Sequence, residues 1–496
     1  MPVNENDESR RCPGEKYGIP RAICKGRQLQ RYPKCPTCSY QKADMDARVG
    51  TPPPVADIIF KAYDIRGAYP DQINEQLAER VGEATAKFLG AKTIVIGRDM
   101  RVSSEPLAKA AIKGVTGFGC NVIDIGLVST DANYFATGYY NASGGIQITA
   151  SHNPPNENGL KISREKAMPV GEDSGLQSVK RLVYGPRPRP AAMPGLVEPR
   201  DCVKDFARHV LSFARSVPRI KVVIDAGNGM HGRMMPRILD RLPIEPIPMY
   251  FELDPTFPHH AANPLKHETL ADLQRKIAET HADLGVAFDA DGDRCGFVTE
   301  KGEILPGDLV TALFARHALK QQPGSAIVYD VRSSWVVDEE VRKAGGVPVR
   351  ERVGHAFIKA TMRKRNAPIG GELSCHYYFR DNYYTDSGAI AMIYMLNVLG
   401  EEDKPLSELL KPLQRYFASG ELDFEVKDKE AKMREVATTF SDAKIQYKDG
   451  ITVEYKDWWF NVRSSNTQAL LRLNLEAKTE PLKEEKLAQV VALLQK

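Results

Sequence analysis

Short apolar runs that alternate with stretches of helical period constrain this chain more than any other feature. Ile58 to Gly67 reads as an opening strand and Asp71 to Gly90 as a helix. Thr93-Ile94-Val95-Ile96 reads as a buried strand ending in Gly97-Arg98-Asp99, followed by a helix through Glu105 to Val115 and a strand from Asn121 to Gly126. The alternation restarts at Lys221-Val222-Val223-Ile224-Asp225 and again at Ile327-Val328-Tyr329-Asp330. It predicts α/β layers whose ligand-binding loops gather at strand ends. A chain of 496 residues exceeds one ordinary core, so about three or four domains are expected. Breaks fall at Thr51-Pro52-Pro53-Pro54 and in the Pro- and Arg-rich stretch Pro186 to Pro199. We therefore expect a short cysteine-containing extension over 1–55, three consecutive similar α/β domains over 56–199, 200–304 and 305–416, and a C-terminal α+β domain over 417–496.

The net charge of +4 is small, and residues 1–50, with ten Lys or Arg against six Asp or Glu, carry all of it. That balance gives no reason to expect nucleic-acid binding. No apolar run approaches the roughly 18 residues of a membrane span, and the polar start is no signal peptide, so a cytoplasmic protein is expected. Cys120, Cys202, Cys295 and Cys375 are scattered and read as free thiols. Cys35-Pro36-Thr37-Cys38 has metal-knuckle spacing, and Cys12 and Cys24 could complete a structural zinc site. The unequal spacings leave a disordered head with incidental thiols, or a redox pair, as alternatives.

Five polar loops carry candidate chemistry. The apolar run ending at Ile148 leads into Thr149-Ala150-Ser151-His152-Asn153-Pro154-Pro155, and the chain resumes through Asn158-Gly159 at Leu160-Lys161. Proline fixes φ and Asn-Gly favours a turn, so Ser151 is expected on a sharp loop. Beside His152, with Lys161 returning nearby, it could carry a covalent group; a plain turn serine fits the same residues. Asp289-Ala290-Asp291-Gly292-Asp293-Arg294 follows a strand, and acids at alternate positions of an extended segment would face one way, as a hard divalent cation requires. An EF-hand fails there because Arg294 replaces the needed glycine and the flanks look like strands. A solvated acidic turn would set three like charges close together with nothing to neutralise them, so a catalytic Mg²⁺ loop remains, with Arg294 available for a phosphate. Gly370-Gly371-Glu372-Leu373-Ser374-Cys375-His376 offers acceptors and donors for sugar hydroxyls, or a capped helix start. It follows His355 and a helix containing Lys359, and Thr385-Asp386-Ser387-Gly388 reads as the cap of the next helix. Arg463-Ser464-Ser465-Asn466-Thr467 suits a phosphate monoester, or an ordinary hairpin loop. Gly227-Asn228-Gly229-Met230-His231-Gly232 fits a dinucleotide fingerprint with Glu252 downstream, or a tight glycine turn.

Taken in order, Lys-Ala-Tyr-Asp-Ile-Arg-Gly, Thr-Ala-Ser-His-Asn-Pro, Asp-Ala-Asp-Gly-Asp-Arg, Gly-Glu-Leu-Ser-Cys-His and Arg-Ser-Ser-Asn-Thr resemble the α-D-phosphohexomutase superfamily, closest to its phosphomannomutase/phosphoglucomutase group, over about Ala56 to Lys496. The resemblance implies four domains around one deep central cleft. Ser151 would be a phosphoserine whose phosphate, with Asp289, Asp291 and Asp293, holds Mg²⁺. Glu372 and Ser374 would read the sugar, and Arg463, Ser465, Asn466 and Thr467 its phosphate. Tyr63, Arg66, His152, Lys161, Arg294, Arg332, His355 and His376 resemble other cleft residues, with His152, Lys161 or His355 as general acid or base. The Gly227 motif would belong to a second domain that binds no dinucleotide. The implied reaction interconverts hexose 6-phosphate and hexose 1-phosphate, with mannose and glucose as sugars, through a hexose 1,6-bisphosphate. Glucosamine or N-acetylglucosamine phosphates are the alternative substrates. Cys375 stands where many members have Gly or Ala, and Arg332 where relatives often have Lys. The sequence sets no oligomeric state.

Overall fold

The computed structural model describes residues 58–464 and 470–495. The head with Cys12, Cys24, Cys35 and Cys38 lies outside the described residues, as do Ser465, Asn466 and Thr467 of the predicted phosphate loop.

Strands β1 (Ile65–Ala68), β2 (Thr93–Arg98), β3 (Asn121–Leu127), β4 (Gly144–Ile148), β5 (Glu157–Arg164) and β6 (Val197–Pro199) form a sheet of order β1-β5-β4-β2-β3-β6. The expected strand at Ile58 is displaced: Ile58 and Ile59 are helical, Phe60 makes a single bridge to Ile65, and the β1 ladder begins at Ile65. The Pro-rich stretch expected as a linker ends as edge strand β6, parallel to β3. Successive strand residues point to opposite faces. Thus Ile94 and Ile96 pack against the helices Glu75–Leu89 and Ser104–Gly117, whereas Val95 joins Phe135 of the helix Thr130–Tyr139 on the other side. Helix Glu75–Leu89 starts where the Asn74 side chain accepts from Leu77 N and stops at Gly90, whose φ is +55°.

The second sheet, β7 (Lys221–Asp225), β8 (Glu245–Met249), β9 (Leu284–Phe288) and β10 (Cys295–Thr299), has order β10-β9-β7-β8. The third comprises β11 (Ala326–Asp330), β12 (Val347–Glu351), β13 (Ile369–Gly371), β14 (Tyr377–Phe379) and β15 (Thr385–Asp386), in order β12-β11-β13-β14-β15. One hydrophobic core runs through all three units, from Val95 and Phe135 through Phe206 and Phe288 to Phe314 and Ile393. The helix Gly388–Glu402 lies within it. Ile390, Ile393 and Leu396 are fully buried there, each contributing about 1.5–3 kcal/mol of burial.

The fourth sheet is antiparallel throughout: β16 (Phe417–Phe424), β17 (Lys444–Gln446), β18 (Ile451–Glu454), β19 (Trp458–Ser464) and β20 (Leu471–Ala477), in order β16-β20-β19-β18-β17, closed by the helix Glu480–Leu494. It has its own core, in which Trp458, Phe460, Val462, Leu471, Leu473 and Leu475 share one face. The alternation turns Trp459, Asn461, Arg463, Arg472, Asn474 and Glu476 to the opposite face. That face meets the third unit, where Trp335 N donates to Glu476 Oε1 at 3.0 Å and Trp335 Nε1 to Glu454 Oε1 at 2.9 Å.

Candidate active site

Ser151 lies on the β4–β5 connection, buried, with φ of +51°. A non-glycine residue there costs on the order of 1–3 kcal/mol, so its surroundings must impose it. They do. Ser151 N donates to Thr149 Oγ1 at 2.9 Å. From the end of β2, buried Arg101 donates to Ser151 O at 2.6 Å, Asn153 O at 2.7 Å, Pro154 O at 2.6 Å and Glu157 O at 3.0 Å. Asp99 Oδ2 holds the Arg101 Nε at 3.2 Å. Arg66, paired with Asp64, donates to Ala150 O at 3.2 Å and Asn153 Oδ1 at 3.1 Å. The reversal itself is made at Pro154, where Glu157 N donates to Pro154 O at 3.1 Å. Asn158-Gly159 does not form the expected turn but already pairs inside β5 with Gly67 and Arg66. Antiparallel β4–β5 pairing brings Lys161 back opposite Gln147.

Ser151 Oγ donates to Asp289 Oδ2 at 3.0 Å and lies 3.1 Å from His152 Nδ1. Asp289, Asp291 and Asp293 do meet, but not because the segment is extended. It turns between β9 and β10, with Gly292 at φ +81°, while Gly292 N and Arg294 N both donate to Asp289 Oδ1 at 3.1 Å. One oxygen of each carboxylate then lies within 4.8 Å of the others. Lys161 Nζ donates to Asp291 Oδ2 at 2.7 Å and Asp293 Oδ2 at 2.5 Å, and Arg294 Nε stands 3.7 Å from Asp289 Oδ2. Burial opposes every charge here, yet Lys161 keeps a pKa well above the ordinary lysine value because two carboxylates outweigh it. Burial, reinforced by Asp291 and Asp293, raises Asp289 well above the carboxylate range, whereas Lys161 overcomes burial to hold Asp293 well below it. Among the described residues, Asp291 Oδ1 and Asp293 Oδ1 are buried without hydrogen-bond partners. An all-oxygen donor set with buried oxygens left without partners fits a hard divalent cation. A second grouping, Asp293, His376 and Asp386, is less suited because His376, its pKa lifted to about 9, holds the proton that a metal would have to displace.

The glycine motif at Gly227 supports this acidic turn. Met230 N donates to Ala290 O at 2.8 Å, His231 Nε2 lies 2.9 Å from Gly292 O, and a Cβ on Gly229 would fall 2.7 Å from Ala290 O. The glycine is required by backbone approach from residues 289–293. The helices that follow, His231–Met234 and Pro236–Leu239, are single turns rather than the long helix of a pyrophosphate site.

Glu372, Ser374 and His376 sit on a strand-turn-strand between β13 and β14, not at a helix start. Glu372 Oε1 accepts from Gly354 N at 2.7 Å and Oε2 from Tyr378 OH at 2.5 Å. Burial raises its pKa, but His376, Arg332 and Tyr378 hold it well below the carboxylate range. His376 Nδ1 is 3.1 Å from Ser374 Oγ and 3.4 Å from Glu372 Oε2, and Nε2 is 3.2 Å from Arg294 Nε and 3.5 Å from Asp293 Oδ1. Nε2 thus faces a cation and an anion; burial and Arg294 lower the pKa, while Asp293 and Glu372 prevail and lift it to about 9. Cys375, at φ +62°, contributes its side chain to the hydrophobic core, and its carbonyl accepts from Cys295 N at 3.1 Å. Cys375 therefore anchors the loop to β10.

His355 opens the helix His355–Arg365, buried, its pKa pushed well below the ordinary value by burial and by Lys359 and Lys161. Its ring lies 5.3 Å from that of Tyr63, whose hydroxyl donates to Val353 O at 2.6 Å. A Cβ on Gly354 would fall 2.2 Å from the Tyr63 hydroxyl, so glycine admits this contact between the first and third units. His152 is likewise kept neutral, by burial, Arg294 and Arg66. Arg332, after β11, pairs with Asp330 at 2.7 Å and with Glu421 at 3.3 Å, and stands 3.5 Å from Ser374 Oγ. Arg463 pairs with Glu421 Oε2 at 2.7 Å.

Sequence reasoning missed Arg101, Asp64 and Glu421, gave Lys359 no role and placed Asp386 only in a helix cap. Lys359 is fully buried, 4.0 Å over the Tyr134 ring. A lysine between Ile358 and Met362, both core residues, was a readable signal; Glu421 on a mostly exposed strand offered none.

Four sheets present polar loops, and three of them converge on a buried serine and a carboxylate cluster, which defines a multidomain group-transfer enzyme. Domains I, II, III and the C-terminal domain of phosphoglucomutase/phosphomannomutase match residues 57–183, 203–302, 306–416 and 421–493. A "Phosphohexose mutases" protein of Xanthomonas campestris pv. campestris (strain B100) is 38% identical over 424 residues, covering 84% of this chain and 95% of its own. A phosphomannomutase of Vibrio cholerae serotype O1 is 38% identical over 454 residues, with 88% and 98% covered. A crystal structure of a phosphoglucomutase/phosphomannomutase family protein from Burkholderia thailandensis superposes with a TM-score of 0.82 at 33% identity, covering 88% of this chain and 96% of that one. The chain belongs to the phosphoglucomutase/phosphomannomutase family and is an enzyme of the phosphohexomutase class. Among the described residues, no helix is long and apolar enough to cross a membrane.

Proposed function

We propose that this enzyme interconverts hexose 6-phosphates and hexose 1-phosphates, with mannose and glucose phosphates as substrates, through phosphorylated Ser151 and a hexose 1,6-bisphosphate. The observation that carries this reading is the buried Ser151 Oγ, 3.0 Å from Asp289 Oδ2 at the edge of a carboxylate cluster with unpartnered oxygens. Mg²⁺ suits that donor set: Asp289, Asp291 and Asp293, with a phosphate oxygen on Ser151, would hold it, and when bound it draws negative charge from the transferring group. In the first half-reaction a sugar hydroxyl forms a bond to phosphorus as the bond to Ser151 Oγ breaks; the second half returns the other phosphate of the bisphosphate to Ser151. Lys161 restrains Asp291 and Asp293, Arg294 and His376 bridge the acidic turn to the sugar loop, and Glu372 and Ser374 meet sugar hydroxyls. The proton steps fall to His152, Lys161 or His355; of these, His152 faces the serine oxygen. Arg463, with Ser465, Asn466 and Thr467, anchors the phosphate that is not reacting.

Ser151→Ala is expected to abolish turnover while leaving sugar-phosphate binding by calorimetry within about threefold of the parent. Turnover near the parental rate would remove Ser151 from the reaction. Mannose, glucose and glucosamine phosphates assayed side by side test the substrate. A kcat/KM highest for glucosamine phosphates would replace the assignment.

A further inference from the structure

The polar face of the fourth sheet places like charges together. Arg463 on β19 and Arg472 on β20 are register partners, and side chains directly opposite across an antiparallel pair lie close enough to repel when both are cationic. Arg332 arrives from the third unit. Glu421, on β16 beside β20, meets all three: Oε2 lies 2.7 Å from Arg463 Nη2 and 3.3 Å from Arg332 Nη1, and Oε1 lies 2.9 Å from Arg472 Nη1. One carboxylate thus sits at the convergence of three guanidinium groups drawn from two domains. Among the described residues, Arg463 Nε is buried without a partner, so this fork is not saturated by Glu421. The arginines overcome burial and keep the Glu421 carboxyl ionised, below its ordinary pKa.

We propose that Glu421 is a built-in competitor for the phosphate of the sugar phosphate: it occupies the arginine cluster in place of the anion, orders Arg463 and Arg332 before substrate arrives, and yields them on binding. The inference rests on the proposed role of Arg463 as phosphate anchor. A phosphate monoester carries more charge and more acceptor oxygens than a carboxylate, so it can take guanidinium forks from Glu421. The exchange bounds affinity from above, which suits an enzyme whose bisphosphate intermediate must let go of this anchor between half-reactions. Because the cluster joins β16, β19 and β20 to the loop after β11, the exchange also couples phosphate binding to the junction of the third and fourth domains.

The sign of one substitution decides the matter. Glu421→Gln keeps the shape and one acceptor but removes the competing charge. In the full chain, the Kd of mannose 1-phosphate and of inorganic phosphate, measured by calorimetry, should fall about three- to tenfold, and kcat should fall as release slows. Weaker or unchanged binding in Glu421→Gln would overturn the proposal, because a residue that only orients the arginines cannot improve binding when neutralised. If Glu421→Gln melts well below the parent, Glu421→Asp, which withdraws the carboxylate by one methylene, replaces it with the same expected direction. Arg463→Ala separates the two levels. If it leaves phosphate binding unchanged, the anchor role itself fails; if it weakens binding while neither Glu421 variant tightens it, only the competition is wrong.

Discussion

Arg101 shows how a residue that holds only the backbone of a loop can decide a site. Its guanidinium and backbone partners hold the Ser151 loop from Ser151 to Glu157 and stabilise the left-handed serine. A lysine has the charge but not the fork, so Arg101→Lys leaves several carbonyl groups without donors. We expect at least a tenfold loss of kcat with KM little changed, and destabilisation of about 2–4 kcal/mol by chemical denaturation. An unaltered kcat would mean that the loop keeps its shape without the clamp. The residues themselves were legible in part. Ser151, the three aspartates and Glu372 were singled out by loops that are each ambiguous alone and specific only in combination, whereas Arg101 and Glu421 act through distant partners that leave no local pattern.

Between elements, buried polar groups join helix ends to the site. Asp131 in the first turn of the helix Thr130–Tyr139 accepts from the hydroxyl of Ser129 and, at 2.6 Å, from Ser387 Oγ, the residue that also caps the helix Gly388–Glu402. Burial raises its pKa to about 7 despite these donors. A carboxyl whose folded pKa exceeds its unfolded value binds protons more tightly in the folded state, so its contribution to stability declines as pH rises from about 4 to 7. Asp131→Asn mimics the protonated group; relative to the parent, its melting temperature should rise progressively from about pH 4 to pH 7 and level off above. Parallel pH profiles for the two proteins would show that Asp131 does not titrate in this window. Most elements followed from hydrophobic period: β7 matches the expected strand Lys221–Asp225, and Ser387 caps the helix it was expected to cap. The failures have local causes. Asn158-Gly159 carries turn chemistry but is captured by pairing with β1, and the acids at 289–293 are gathered by a glycine turn that alternation alone does not predict.

The whole molecule divides unequally. Three units share a hydrophobic core, while the fourth has its own and meets the rest through a mixed face, where Trp459 packs near Trp335 among polar contacts such as Val353 N to Asp449 Oδ2 at 2.9 Å. Partly polar interfaces between separately packed domains permit relative motion. Asp449→Ala is therefore expected to raise KM for sugar phosphates about three- to tenfold, with the main thermal transition unmoved. A lowered transition with constant KM would instead make Asp449 part of the shared stability. The sequence by itself determined the α/β alternation, the antiparallel last unit and the loops that bear chemistry, because strand period, helix period and turn residues are encoded within a few positions of one another. Only the tertiary structure decided which loops touch and with what charge. Ser151 meets Asp289 across 138 positions and Lys161 meets Asp291 across 130, and burial, which sets the protonation of every group between them, belongs to the packed molecule.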